Sequence, residues 1–441
     1  MPTDATLTRL LAQSLAARPE LAQSVALVHA EEARVSQVAA LPDPTLQLGV
    51  QNDGFTSVEL GRMDTSFVSL MASQTFPWPG KRGLRQALAT LGAARAKQAV
   101  ARLRLATEAE VRRDYLELLL LRDRRALLDR LEALGQTARG AAQARYEAGA
   151  GAQSELLRAQ LELNRLRQRR WLLVAEERGR VQALNRWRAH PLEEPIATAA
   201  GLRQLPALAA WASRFSAQRA LERSPELAAA RLELERTRRA VALAQTSYYP
   251  DLTVGAGLMI RGKLPPMWLL NVGGPLPLFA ASKQRRAVAE SRARASAAQQ
   301  EVAALEQLLR LRSAQRQTAF SALLQTLALY QQGLLVQSEA TTLSTFAQYQ
   351  VGKASLASVL EANTGFLADQ EGYLQAIAAG HRLLIAEAEV SLVATSWPAS
   401  GAAASAGGTD DQPFATLDAA GEGRAPAGAS PSATGGSMSG M

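Results

Sequence analysis

The chain has 441 residues, 47% hydrophobic but only 5% aromatic, with a formal charge of +9 and no cysteine. The missing cysteine excludes disulfides, thiolate nucleophiles and cysteine-held metals. Arginine alternates with glutamate, as in "ATEAEVRRD" (106–114). The basic balance therefore reads as solvated helix faces, not as a nucleic-acid-binding arm.

No apolar run reaches the ~18–20 residues of a spanning helix. The N-terminal stretch lacks the basic start, apolar core and small-residue cleavage site of an export signal, so for an exported protein this sequence would be a mature or trimmed form, or one with a misassigned start. The first expected element is a helix within 1–43, at about residues 4–40. A strand pair is expected over 44–79. In "PTLQLGVQ", Leu46, Leu48 and Val50 alternate with Gln47, Gly49 and Gln51. In "TSFVSLMASQTF", Val68, Leu70, Ala72 and Phe76 oppose Ser69, Ser73 and Thr75.

Pro77 and Pro79 in "SQTFPWPGKRGLRQ" should end the pairing, because proline cannot donate to a sheet ladder. From Gly80 to His190 there is no proline at all. Residues 80–190 read as one long helical hairpin whose tip is "EAGAGAQ" (147–153), where glycine can take left-handed angles and stop a helix. Its first arm would be ~100 Å long at about 1.5 Å per residue. Residues 191–223 then form a linker expected to pack at the molecule's middle.

The same order follows again. A helix over 224–249 opens with Ser224 as N-cap and Pro225 at its first position. A second strand pair covers 250–281, with Leu252, Val254, Ala256 and Leu258 alternating against Thr253, Gly255 and Gly257, and "MWLLNVGGPLPL" as the fourth strand. A second hairpin covers 282–397, with Phe320, Leu323, Leu324, Leu327 and Leu334 at near-heptad spacing and a single interruption at "QVGKAS" (350–355). The tail over 398–441 is rich in Gly, Ala and Ser and reads as disordered.

The recurrence is literal. Pro19-Glu20-Leu21 returns as Pro225-Glu226-Leu227, and Pro44 as Pro250, both at an offset of 206. Gly149 in "ARYEAGAGAQSELL" answers Gly352 in "AQYQVGKASLASVL" at 203. The chain is two copies of one unit.

The strands have the length and alternation of membrane-barrel strands, although a half-buried sheet in a soluble α+β protein alternates in the same way. Aromatics near the segment ends, Phe76, Trp78, Tyr248, Tyr249, Trp268 and Phe279, suit a membrane interface. Four strands cannot close a barrel, and open edges do not survive in lipid. A spanning sheet therefore requires further copies of the chain; three would supply twelve strands.

Over residues 4–397 this grammar resembles the TolC-type outer-membrane efflux proteins. "LPDPTLQLGV" and "SQTFPWPGKRGLR" resemble the heavy-metal branch, the CzcC and CusC type. The resemblance implies a mainly α fold with a membrane β-barrel: duplicated strand pairs and long helical hairpins in a homotrimer, with a twelve-stranded barrel continuous with an α-helical barrel. It implies no enzyme activity and no cofactor. The implied role is a passive outer-membrane exit duct reaching into the periplasm, for metal cations or drugs. Its implied partners are a periplasmic adaptor and an inner-membrane transporter of the resistance-nodulation-division type.

By the same resemblance, the adaptor-docking tips are Tyr146, Gly149, Tyr349, Gly352 and Lys353. Glu155 and Glu361 would form an acidic entrance ring, which threefold symmetry would turn into a cation-selecting constriction. Ser358 falls where some members carry a carboxylate. Ala354 falls where some carry a gate-locking arginine, which leaves Lys353 as the substitute. A soluble or periplasmic coiled-coil adaptor is the competing reading, but an adaptor would carry one hairpin with a compact β-rich domain.

His29, His190 and His381 share no ligand spacing, so no bound metal is expected. Met63, Met71, Met259 and Met267 fall in the strand regions, and Met71 and Met259 have the parity of the small or polar faces. Thioethers bind soft Cu(I), but methionine more often fills gaps.

Overall fold

A computed structural model describes residues 4–198 and 201–394. The tail expected over 398–441 lies outside the described residues. Asp4 caps the first helix, α1 (Ala5–Ala17), by accepting from the Thr6 N–H at 2.9 Å. A second helix, α2 (Pro19–Ala39), follows after a single extended residue, Arg18. The single helix expected over 4–40 is therefore two. Pro19 has no N–H to give and pushes the residue before it out of helical angles. Arg18 secures the break by donating to the Thr107 hydroxyl at 2.5 Å and lying over the Trp187 ring at 4.6 Å.

Strands β1 (Thr45–Gln51) and β2 (Phe67–Phe76) lead into α3 (Lys81–Glu147), a helix of 67 residues, and α4 (Gln153–Trp187) returns alongside it. Short 3-10 turns at Leu202–Gln204 and Leu208–Arg214 and the brief α5 (Ala217–Arg223) link the two copies. The second copy holds α6 (Pro225–Thr246), β3 (Leu252–Arg261), β4 (Leu264–Gly273), α7 (Gln284–Leu329), α8 (Leu335–Gln350) and α9 (Leu356–Glu389). A π-helical turn at Tyr330–Leu334 joins α7 to α8. These three segments have 46, five and 16 residues, together the same 67 as α3.

That π turn is an interruption the sequence reading lacks. Widening the helix there places Tyr330 against Tyr373 of α9, with ring centroids 6.1 Å apart, and lets Gln331 donate to the Tyr373 hydroxyl at 2.9 Å. The fourth strand also lies earlier than "MWLLNVGGPLPL", since Leu276 and Leu278 fall beyond it and are exposed. Pro265 and Pro266 look like a break in sequence, yet both sit inside β4. The ladder to β3 shifts register between Met259 and Arg261, opposite these prolines, and a bulge tolerates a missing donor.

The four strands form one antiparallel sheet in the order β1-β2-β3-β4. β2 and β3, far apart in sequence, pair from Val68 with Ile260 to Phe76 with Leu252. The main core lies away from the sheet. Leu7 and Leu10 of α1, Val111 to Leu120 of α3, Phe320 and Leu323 of α7 and Leu374 to Ile385 of α9 converge there with Leu202, Leu208 and Phe215 of the linker.

Candidate functional site

The two faces of the sheet differ, with Gln74 the polar exception on one and Phe67 and Leu269 the large apolar exceptions on the other. Leu48, Leu70, Leu258 and Trp268 make one cross-strand row and are 75%, 47%, 46% and 80% exposed. Leu46, Val50, Val68, Val254, Leu270 and Val272 extend the same face. The opposite face carries Gln47, Gly49, Ser69, Ser73, Thr75, Thr253, Gly257 and Asn271, together with Met71, Met259, Met267 and Leu269. An apolar surface this continuous, left facing outward, marks a surface that meets lipid or protein. β1 and β4 each have one edge without a partner among the described residues.

Of the aromatics expected at an interface, Phe76 ends β2, while Tyr248 and Tyr249 lie just before β3. Trp268 does not sit at an end. It pairs with Leu258 in the middle of the ladder, a consequence of β4 starting at Leu264. Phe279 lies beyond β4 in the turn before α7 and is exposed. Trp78 stacks on Tyr249 with centroids 5.0 Å apart. Its N–H and the Lys81 ammonium both donate to Asp251 Oδ1 at 2.8 Å, and Lys81 also reaches the Tyr249 carbonyl at 2.7 Å. This largely buried ion pair fastens the start of α3 to the start of β3.

At the far end of the hairpins, both tips close by the same hydrogen bonds. The Gly149 N–H donates to the Tyr146 carbonyl at 3.0 Å, and the Ala150 N–H to the Arg145 carbonyl at 2.9 Å. In the second copy Gly352 donates to Tyr349 at 3.0 Å and Lys353 to Gln348 at 2.8 Å. Both glycines are left-handed, with φ of 69° and 77°, as this helix ending requires.

The tips are not equal in their side chains. Tyr146 is 45% exposed, whereas Tyr349, its counterpart, is fully buried among Ala142, Ala159, Leu356 and Val359. Arg145 crosses from the first tip to the second. Its guanidinium donates to the Tyr349 carbonyl at 3.1 Å and to Ala150 at 3.3 Å, and lies over the Tyr349 ring at 5.1 Å. The Tyr349 hydroxyl in turn donates to Glu155 at 3.4 Å. Burial first, and then the Glu155 carboxylate, raise the Tyr349 phenol above its ordinary value, so it remains a donor.

Glu155 is thus tied to the second tip from the first turn of α4, while Glu361 stands exposed on α9. Lys353 is exposed and has no side-chain partner among the described residues; Arg145 makes the crossing contact instead. Sequence reasoning missed Arg145. The available signal was its counterpart across the repeat, Gln348, which lacks the charge. Ser358 donates its N–H to the Ser355 hydroxyl that caps α9.

On the polar sheet face Met259 pairs directly with Met267, and Met71 lies over Gly257 on the neighbouring strand. Met63 lies in the β1–β2 connection. Among the described residues no three His, Cys, Asp or Glu side chains converge as metal ligands.

The family model described as outer membrane efflux protein matches residues 10–187 and again 216–393, two segments offset by the same 206 residues as the sequence repeat. No curated protein matches the chain. Among solved structures, the outer-membrane channel OprN superposes with a TM-score of 0.75 at 18% identity, over 88% of this chain and 90% of that one. VceC from Vibrio cholerae gives 0.71 at 18% identity, over 88% and 95%. CusC gives 0.71 at 16% identity, over 88% and 91%, no nearer than the others.

Proposed function

This chain belongs to the outer membrane efflux protein family, and we propose that three copies of it form a passive exit duct in the Gram-negative outer membrane. It is a channel protein and not an enzyme. In this reading the β4 edge of one copy pairs with the β1 edge of the next, and twelve strands close around a polar lumen. The helical hairpins continue the duct into the periplasm. Their tips, at Tyr146, Gly149, Tyr349, Gly352 and Lys353, meet a periplasmic adaptor that couples the duct to an inner-membrane transporter of the resistance-nodulation-division type. Glu155 and Glu361 line the entrance as rings of carboxylates, and metal cations are the proposed cargo.

The observation that carries this reading is the sheet: one face apolar and exposed, the other small and polar, both edges unpaired. A lone sheet of this kind is unsuited to water and cannot seal itself in lipid. The metal-cation cargo rests on the two heavy-metal-like strings. The Arg145–Tyr349–Glu155 chain supplies a lock within each copy that holds its two tips together.

Detergent extraction followed by mass measurement tests the assembly. A particle of three 47.1 kDa chains that conducts in a planar bilayer is the expected result. A monomer stable in plain buffer, without affinity for lipid, would overturn it.

A further inference from the structure

Around the linker, α1, α3, α5 and the last turns of α9 line a half-open pocket of about 510 Å³, within the ~300–1,000 Å³ typical of ligand sites. Its floor is apolar, with Leu7, Leu11, Leu384 and Ile385 contributed by two helices. Its wall and rim hold four guanidiniums, Arg112, Arg214, Arg219 and Arg223. The carboxylate at this wall, Glu387, is already taken: Arg316 and the Ser313 hydroxyl each donate to it at 3.0 Å, and the Ser216 N–H at 3.3 Å.

The four arginines are neutralised only in part. Arg112 pairs with Glu108 at 2.9 Å, and Arg219 donates to the Ser213 carbonyl at 3.2 Å. Arg214 lies over the Trp211 ring at 4.9 Å, and neither it nor Arg223 has an acidic partner among the described residues. The indole N–H of Trp211, another wall residue, is buried and has no acceptor among the described residues. An apolar floor, unpaired cations at the mouth and an orphaned donor together describe a site for an acidic head on an alkyl chain.

We infer that this cavity binds a single-chain anionic amphiphile, of fatty-acid or lysophosphatidate chemistry. The chain lies between α1 and α9, and the head is held by Arg214 and Arg223. The site lies at the linker, away from the sheet and the tips, and it gives the linker a ligand of its own.

The test uses the full chain in lipid nanodiscs, with protein-free nanodiscs as the reference for partition into lipid. Calorimetric titration with decanoate should saturate at one site per chain. Octanoate should bind about 15-fold more weakly, since two fewer buried methylenes at ~0.8 kcal/mol each amount to that ratio. Neither decyltrimethylammonium nor inorganic phosphate should displace decanoate. The double variant Arg214→Gln/Arg223→Gln alters exposed rim positions and should lose at least about tenfold in affinity. Leu11→Trp, which fills the floor, should lose saturable binding with the assembly mass unchanged. Displacement by the cationic amphiphile or by phosphate alone, or unchanged affinity in the double variant, would overturn the assignment.

Discussion

The return helices α4 and α9 occupy equivalent places 203 residues apart, yet they are attached to the molecule in different ways. α4 buries five residues along its 35, whereas α9 buries eighteen along its 34. Trp171 on α4 is 71% exposed; its counterpart Leu374 is fully buried. Glu177 receives Arg122 at 2.8 Å and Arg125 at 2.7 Å, and Arg167 and Arg170 of α4 pair with Glu132 and Asp129 of α3, each at 2.9 Å. At the place of Glu177, α9 carries Gly380, where a Cβ would come within 2.6 Å of both Leu208 and Leu323. Duplication has kept the element lengths while dividing the work. Both helices carry ion pairs, but α4 has little else, whereas α9 adds a long buried apolar face and pairs through Glu371, Arg382, Glu387 and Glu389. A buried Leu contributes ~1.5–3 kcal/mol and a surface ion pair ~0–1, so α9 should be the firmer of the two.

The largest expected effect is at the core of that contrast. Leu374→Ala should cost ~4 kcal/mol, the range for a fully buried leucine whose site cannot collapse, read as a lowered denaturant midpoint of the solubilised protein. A loss below ~1 kcal/mol would place α9 no deeper than α4. His381 is next. It is buried, neither ring nitrogen has a partner among the described residues, and burial lowers its pKa from 6.5 to about 4. The unfolded chain therefore binds the proton first as pH falls. The native state keeps its full stability above pH ~6.5 and loses ~3 kcal/mol as pH drops towards 4. His381→Leu should remove the ~2 kcal/mol of that loss that falls between pH 6.5 and 4.5. Its counterpart Arg178 is exposed, and Arg178→Ala should leave the pH profile unchanged.

The fold class was legible because its signals are long-range and redundant: a repeat at nearly constant offset, alternating strands and two long stretches without proline. Single-residue geometry was harder to read. Pro265 and Pro266 look like a stop, and the shift in register opposite them on β3 is what makes them tolerable. The break at Arg18 was signalled by Pro19, but the apolar periodicity on either side hid it. The π turn at Tyr330 answers to Tyr373, a residue on another helix. At the tips the turn chemistry was readable, because a left-handed ending needs glycine at 149 and 352. What crosses between the tips was not readable, since Arg145 meets Tyr349 only once the two hairpins pack side by side. The contrast between α4 and α9 leaves a trace in composition, arginine-rich against alanine-rich, but which neighbour α9 seals against comes from tertiary packing.

Smaller effects sharpen the comparison from the α4 side. Glu177→Gln leaves two guanidiniums facing a neutral amide and should cost about 1 kcal/mol, given how much solvent reaches the pair. The loss should appear locally, as faster amide exchange along α4, and should shrink in 1 M salt, where the Debye length is ~3 Å. Exchange in α9 should not respond. Uniform loosening of both hairpins would mean that the ion pairs do not specifically hold α4.

The smallest expected change in stability is at the tips. Tyr349→Phe removes one long hydrogen bond to Glu155 and should cost only ~0.5 kcal/mol, because the ring stays packed and Arg145 still reaches the backbone carbonyl. If the lock holds the entrance shut, even that small bias should raise the open fraction in a planar bilayer about twofold, since 0.5 kcal/mol is close to RT at 298 K. Tyr146→Phe removes a hydroxyl at an exposed site and should leave conductance unchanged. Equal responses from the two tyrosines would show that the entrance does not distinguish the first tip from the second. The asymmetry of Tyr146 and Tyr349 would then be a matter of packing alone.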